Sequence, residues 1–130
     1  MRYERFVELA RALWEEVPAE FKRGLQGLHI LEQAKPEPGL AEVWRLGEYL
    51  DPGFPSVLGG NPGLGRHIVL YYGSFAAIAR EDREFDWEAE IWETLLHELR
   101  HHVESLAWRD DLVEEDLETL RAYRKDRDAP

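Results

Sequence analysis

The sequence contains no cysteine, and none of its apolar runs approaches the length of a membrane-spanning helix. Without cysteine the chain has neither disulfides nor thiolate ligands, so a bound metal must be held by imidazole and carboxylate groups. The N-terminal stretch MRYERFVELARALWEEV carries charge throughout, unlike an export signal with its basic start and apolar block. These absences predict a cytoplasmic protein without a membrane segment.

Positive charge is also scarce relative to negative charge. The 130 residues include 16 lysines and arginines against 27 aspartates and glutamates, a formal net charge of −11. Nucleic acids and anionic membranes are themselves negative, so general electrostatics predicts that neither is a partner. A cation or a basic peptide is a better match for this surface, while the oligomeric state does not follow from composition.

Hydrophobic periodicity divides the first half of the chain. Apolar residues at steps of three and four predict a helix from Tyr3 to Val17, which Pro18 ends before a short helical turn. The run RHIVLYYG is the clearest strand. Two interpretations of it stay open: it offers an edge to an extended peptide, or it is an ordinary buried strand. Strands are predicted at 28–35 and 66–73, with a glycine- and proline-rich loop at 51–65. The segment 40–50 suits a helix or a strand, and we favour the strand.

Helices fill the second half of the chain. Ser74 is the predicted N-cap of a short helix, Asp86 is that of a long helix ending near position 108, and a last helix covers 110–124. Strands that lie between helices predict an α+β fold, with a small, mostly antiparallel sheet packed against the N-terminal helix and the long helix. We expect one domain over residues 1–123 and a charged tail over 124–130.

The stretch ETLLHELRHHVES holds three of the five histidines and one H-E-x-x-H pattern. On a helix, His97 and His101 lie about one turn apart on one side, so both imidazoles can bind one ion. Glu98 points about a quarter-turn away, where its carboxylate can hold a water molecule bound to that ion and accept its proton. His102 lies nearer the apolar arc and is expected to pack or to form hydrogen bonds. The alternative is a solvated helix face with no metal.

Three segments, IWETLLHELRHHVESL, HIVLYYGSFAAIAR and VPAEF, resemble the minimal zincin-like metallopeptidases, a family of short bacterial proteins. The likeness spans roughly residues 4 to 118 and implies a zincin-like minimal domain whose long helix carries the active site. It implies a zinc ion, or another divalent metal, held by His97 and His101, with Glu98 as the general base. It also implies that a peptide or an unfolded protein is the substrate.

The chain departs from the family's fuller pattern, H-E-x-x-H-x-x-G-x-x-D, at the last two positions. Glu104 stands where the family has glycine, and Ala107 stands where it has the aspartate that supplies the third ligand. Glu104 is our first substitute for that ligand, Asp110 or Asp111 is the second, and a site of two histidines alone is the third. The predicted function is a metal-dependent hydrolase that attacks peptide carbonyls, and the alternative is a non-catalytic metal-binding or protein-interaction module.

Overall fold

The computed structural model describes residues 1–51, 65–107 and 121–122. Most of the predicted loop and of the predicted last helix, and the charged tail, therefore lie outside the described residues. Arg121 and Ala122 are helical, and the Arg121 Nε atom lies 3.3 Å from Glu93 Oε1. This contact brings a position near the C-terminus against the helix that carries the H-E-x-x-H pattern.

Helix α1, Tyr3–Glu16, confirms the first predicted helix. Its apolar stripe is buried because residues three and four apart share one side of a helix, and Phe6, Ala10 and Leu13 are at most 1% exposed. Pro18 cannot continue the backbone hydrogen-bonding pattern of the helix. It precedes a short 3-10 helix, Ala19–Lys22, at the place where a helical turn is predicted.

Within the described residues, five strands form two sheets. The bounds are Leu25–Leu31 for β1, Lys35–Pro36 for β2, Trp44–Arg45 for β3, Gly47–Leu50 for β4 and Arg66–Tyr71 for β5. The main sheet has the order β1-β5-β4, in which β1 is parallel and β4 antiparallel to β5, while β2 and β3 form a separate antiparallel pair. The predicted α+β class is confirmed, and the main sheet is mixed.

Strand β5 lies in the middle of the main sheet, so the interpretation as a free edge is wrong and the interpretation as a buried strand is confirmed. Its Ile68 and Leu70 are fully buried, which is why this strand has a continuous apolar run instead of an alternating one. Strand β4 lies at the outside of the sheet, and β5 is its one strand partner in the described part of the chain.

Helix α2, Tyr72–Glu81, begins directly where β5 ends, three residues earlier than an N-cap at Ser74 predicts. Ser74 is therefore inside the helix and is not its N-cap; its buried Oγ accepts a hydrogen bond from the backbone N–H of Lys35 at 2.8 Å. Gly73 permits this close crossing, because a Cβ there would lie 2.4 Å from the backbone nitrogen of Ala34. Strand β1 ends at Leu31, before the predicted position 35.

Helix α3, Trp87–Ala107, matches the predicted long helix. Asp86 caps it, since its Oδ1 accepts a hydrogen bond from the Ala89 backbone N–H at 3.1 Å. No helix in the described ranges is both long and apolar enough to cross a membrane. One hydrophobic cluster joins α1, α3 and the sheet, and includes Phe6, Leu13, Leu28, Ile68, Leu70, Ile91, Leu95 and Leu99.

Candidate metal centre

Helix α3 presents two different faces. Ile91, Leu95 and Leu99 recur every four residues and are fully buried in the hydrophobic cluster. His97 and His101, one turn apart on another side of the helix, are exposed. The apolar stripe therefore sets the rotation of the helix and leaves both imidazoles accessible to solvent.

The two imidazoles converge at the geometry that a tetrahedral ion requires. The Nε2 atoms of His97 and His101 are 3.3 Å apart, and the ring planes are nearly perpendicular, at 89°. Bonds of about 2.0–2.1 Å to one tetrahedral zinc ion place two nitrogens roughly 3.3–3.4 Å apart. With a carboxylate oxygen of Glu98, the nitrogens form a group whose ligand atoms all lie within 4.8 Å of one another. The residues present therefore fit a zinc ion.

Glu98 differs from the two histidines in its environment, because its side chain is only 6% exposed. Burial is the largest cause that raises the pKa of the Glu98 carboxyl to about 7, and the negative charge of Glu48 also raises it. The positive charge of Arg45 opposes this shift. A carboxyl with a pKa near neutrality is suited to accept a proton and release it again. The sequence predicts this carboxylate beside the ion, and the structure brings it into the same group.

The environment of His97 favours the form of its imidazole that binds metal. Burial lowers the pKa of His97, and the positive charges of His101 and Arg100 lower it further, so the neutral imidazole is favoured. A neutral ring nitrogen has the lone pair that a metal ion needs. The negative charge of the Glu104 carboxylate opposes this lowering of the His97 pKa, so Glu104 interacts electrostatically with His97.

The predicted third ligands have different positions. Glu104 is exposed on α3, and the group formed by His97, Glu98 and His101 does not include it. Its role as a ligand stays a prediction. Asp110 and Asp111 lie outside the described residues.

The remaining histidines take no part in this group. His102 is fully buried, and its ring nitrogens contact the Tyr49 hydroxyl at 2.8 Å and the backbone carbonyl oxygen of Arg23 at 2.7 Å. It is therefore the hydrogen-bonding residue that the sequence predicts. His29 on β1 and His67 on β5 come together on adjacent strands, with His29 Nε2 2.8 Å from His67 Nδ1.

A charged network next to the site is not apparent from the sequence. Glu48 forms ion pairs with both Lys35 and Arg45, and Arg45 also binds Glu37 at 2.7 Å. Although burial opposes the shift, hydrogen bonds from Lys35 and Arg45 lower the pKa of Glu48, so this carboxylate is charged where its field reaches Glu98. No local pattern links these positions, because their contacts depend on how β2, β3 and β4 come together.

A helix carrying H-E-x-x-H, packed on a small sheet with its two imidazoles and carboxylate converging, defines a zincin-like domain. The chain belongs to the zincin-like metallopeptidase family, whose model matches residues 25–123. The resemblance seen in the sequence is thereby confirmed.

The fold also has a close structural relative. A solved structure described as a conserved hypothetical protein from Thermo thermophilus shares 70% sequence identity with this chain, at a TM-score of 0.74. The match covers 84% of this chain and 100% of the relative. A search of curated proteins found no match.

Proposed function

We propose that the protein is a zinc-dependent peptidase in which His97 and His101 hold the ion and Glu98 is the general base. The observation that carries this proposal is the convergence of the three side chains, with the histidine nitrogens 3.3 Å apart and all ligand atoms within 4.8 Å. Family membership supports the same chemistry. Another divalent metal with a preference for imidazole fits the same donors.

The chemistry of such a site divides between the ion and the chain. A bound zinc ion lowers the pKa of a water molecule to about 7 and polarises the carbonyl to be attacked. Glu98 accepts the proton that the water loses and donates it to the amine that leaves when the peptide bond breaks. In the metal-free protein, the buried position of Glu98 raises its carboxyl pKa to about 7, so this carboxyl exchanges a proton near neutral pH.

The substrate in this proposal is an extended peptide or a segment of unfolded protein. Strand β4 borders α3, and it has a single strand partner in the part of the chain that the structure describes. Backbone N–H and C=O groups at such an edge can pair with an extended chain.

The third protein ligand in this proposal is Glu104. It follows His101 by three residues on the same helix, so the two lie on neighbouring turns, and its charge already acts on His97. To bind the ion directly, its carboxylate must extend back along the helix. Glu104→Gln is expected to weaken zinc binding by about tenfold or more, measured by calorimetric titration.

Peptide hydrolysis by the zinc-loaded protein tests the catalytic assignment. With fluorescein-labelled casein as the substrate, Glu98→Gln is expected to reduce turnover by at least about a hundredfold while zinc binding is retained, since the glutamine amide cannot accept the proton. Glu88→Gln removes an exposed carboxylate from the first turn of the same helix and is expected to keep full activity. Equal activity of Glu98→Gln and wild type would show that the assigned base is wrong.

A second candidate function is a metal-binding or protein-interaction module without catalysis. The observation that favours it is Ala107, which removes the carboxylate of the family's usual third ligand. This candidate predicts submicromolar zinc binding that His97→Ala abolishes, together with no casein hydrolysis by the wild-type protein. The first candidate predicts that the wild-type protein hydrolyses casein and that His97→Ala loses both zinc binding and casein hydrolysis.

A further inference from the structure

His102 directly follows His101 on α3, yet it points into the protein. It is fully buried, and both ring nitrogens have partners from other elements: Nδ1 lies 2.8 Å from the Tyr49 hydroxyl, and Nε2 lies 2.7 Å from the Arg23 carbonyl oxygen. Because a backbone carbonyl can only accept, Nε2 must carry a proton and donate it to Arg23. One side chain therefore ties α3 to strand β4 and to the turn that precedes β1.

A second close contact between α3 and β4 lies on the other side of Glu98. A Cβ atom at Gly47 would be 2.9 Å from Thr94 Cγ2, so the backbone of β4 comes as near to the helix as glycine allows. Thr94 precedes Glu98 by one helical turn and His102 follows it by one. Glu98 therefore lies between two contacts that define the distance between α3 and β4, one at Thr94 and the other at His102.

The turn at Arg23 and Gly24 has a backbone conformation that favours glycine, and it packs against His102. Gly24 has a φ of +86°, in the left-handed region that favours glycine. A Cβ there would lie 3.6 Å from His102 Cε1, so the turn packs on the imidazole as well as binding it. The Arg23 carbonyl is thus presented to Nε2 by a fixed backbone conformation.

We propose that His102 and Tyr49 are positioning residues that set the distance between α3 and β4 and so align Glu98 with a peptide paired to β4. This inference rests on the proposed peptidase function. It assigns His102, the third histidine of H-E-L-R-H-H, to the geometry of the cleft instead of to the ion. Displacements of about 1 Å between reacting groups cost roughly a hundredfold in rate, so a loosened strand should slow the chemical step.

Tyr49→Phe tests the alignment because it removes one hydroxyl and little else. With zinc-loaded protein and fluorescein-labelled casein, we expect kcat to fall about tenfold or more, with KM and the zinc dissociation constant unchanged within about twofold. Tyr3→Phe is the matched control, since it also removes a single hydroxyl, one that donates to the Ile30 carbonyl oxygen at 3.0 Å. It is expected to keep the wild-type kcat.

Two His102 variants distinguish alignment from stability. His102→Gln keeps an N–H group to donate, and His102→Leu keeps only volume, so glutamine is expected to restore part of the kcat that leucine loses. Equal kcat for both, or a Tyr49→Phe kcat equal to that of Tyr3→Phe, would overturn the inference. A residue important only for stability would lower the unfolding free energy and leave kcat unchanged.

Nitrogen NMR of the imidazoles gives a readout that does not depend on activity. We expect a one-bond nitrogen–proton correlation at Nε2 of His102 in wild type and in Tyr49→Phe, and its absence would overturn the inference. A wild-type protein that does not hydrolyse casein would overturn the proposed function and the alignment role with it. An active wild type with an unaffected Tyr49→Phe would overturn the alignment role alone.

Discussion

Replacing Glu98 with glutamine should change how the stability of the metal-free protein depends on pH. Glu98 is 6% exposed, and its carboxyl has a pKa of about 7 in the folded protein against an ordinary value of 4.5. An acid with a raised folded pKa stabilises the fold while it is protonated, and this stability is lost as the pH rises from 4.5 towards 7. The shift of about 2.5 units corresponds to about 3 kcal/mol.

Urea denaturation of wild type and Glu98→Gln at several pH values, in a buffer containing a chelator, measures this effect. Glutamine does not titrate, so the variant's unfolding free energy relative to wild type should rise by about 3 kcal/mol from about pH 4.5 to about pH 8 and level off above that. All other titrating groups are common to both proteins and largely cancel. Glu81→Gln, which removes an exposed carboxylate from the end of α2, is the control for the loss of a carboxylate as such. A pH-independent difference for Glu98→Gln would refute the reasoning.

Three further perturbations have defined outcomes. Zinc at about 100 times its dissociation constant should raise the unfolding free energy by about 2.7 kcal/mol, measured by urea denaturation, and His97→Ala or addition of a chelator should remove this gain. Gly47→Ala should cost about 1–3 kcal/mol, because its Cβ would meet Thr94 Cγ2 at 2.9 Å, whereas Gly27→Ala, whose Cβ has nothing within 4 Å, should be close to neutral. Asp86→Ala should lower the midpoint of thermal unfolding by an amount equivalent to about 1 kcal/mol, since it removes the N-cap of α3, and an unchanged midpoint would contradict this role of its carboxylate.

The expected gain in stability of Glu98→Gln at high pH has a functional meaning. Burial and a nearby like charge make an ionised carboxylate unfavourable in the folded protein, which lowers the stability of the fold. The same two effects raise the carboxyl pKa to near the pH at which the group must exchange a proton. Glu48 contributes to this cost, and its own charge is maintained by Lys35 and Arg45. The proposed base therefore depends on a network formed by strands that are far from α3 in sequence.

Local elements were predictable because their signals are local. The stripe of α1, the apolar run of β5 and the cap and stripe of α3 each depend on residues within a few positions of one another. The start of α2 was missed for the opposite reason. Ser74 has the side chain of an N-cap, but in the structure its Oγ accepts a hydrogen bond from Lys35, which is 39 positions away.

The sequence by itself determined that His97 and His101 share one side of a helix, because a spacing of four residues closes about one helical turn whatever the rest of the chain does. It also indicated the family, which the matched residues 25–123 confirm. Only the tertiary structure decided that β4 and not β5 lies at the sheet edge, that Glu98 is buried near Glu48, and that His102 ties α3 to Tyr49 and Arg23. These features arise from strand order and helix–sheet contact between residues far apart in sequence, for which a single sequence carries no periodic signal.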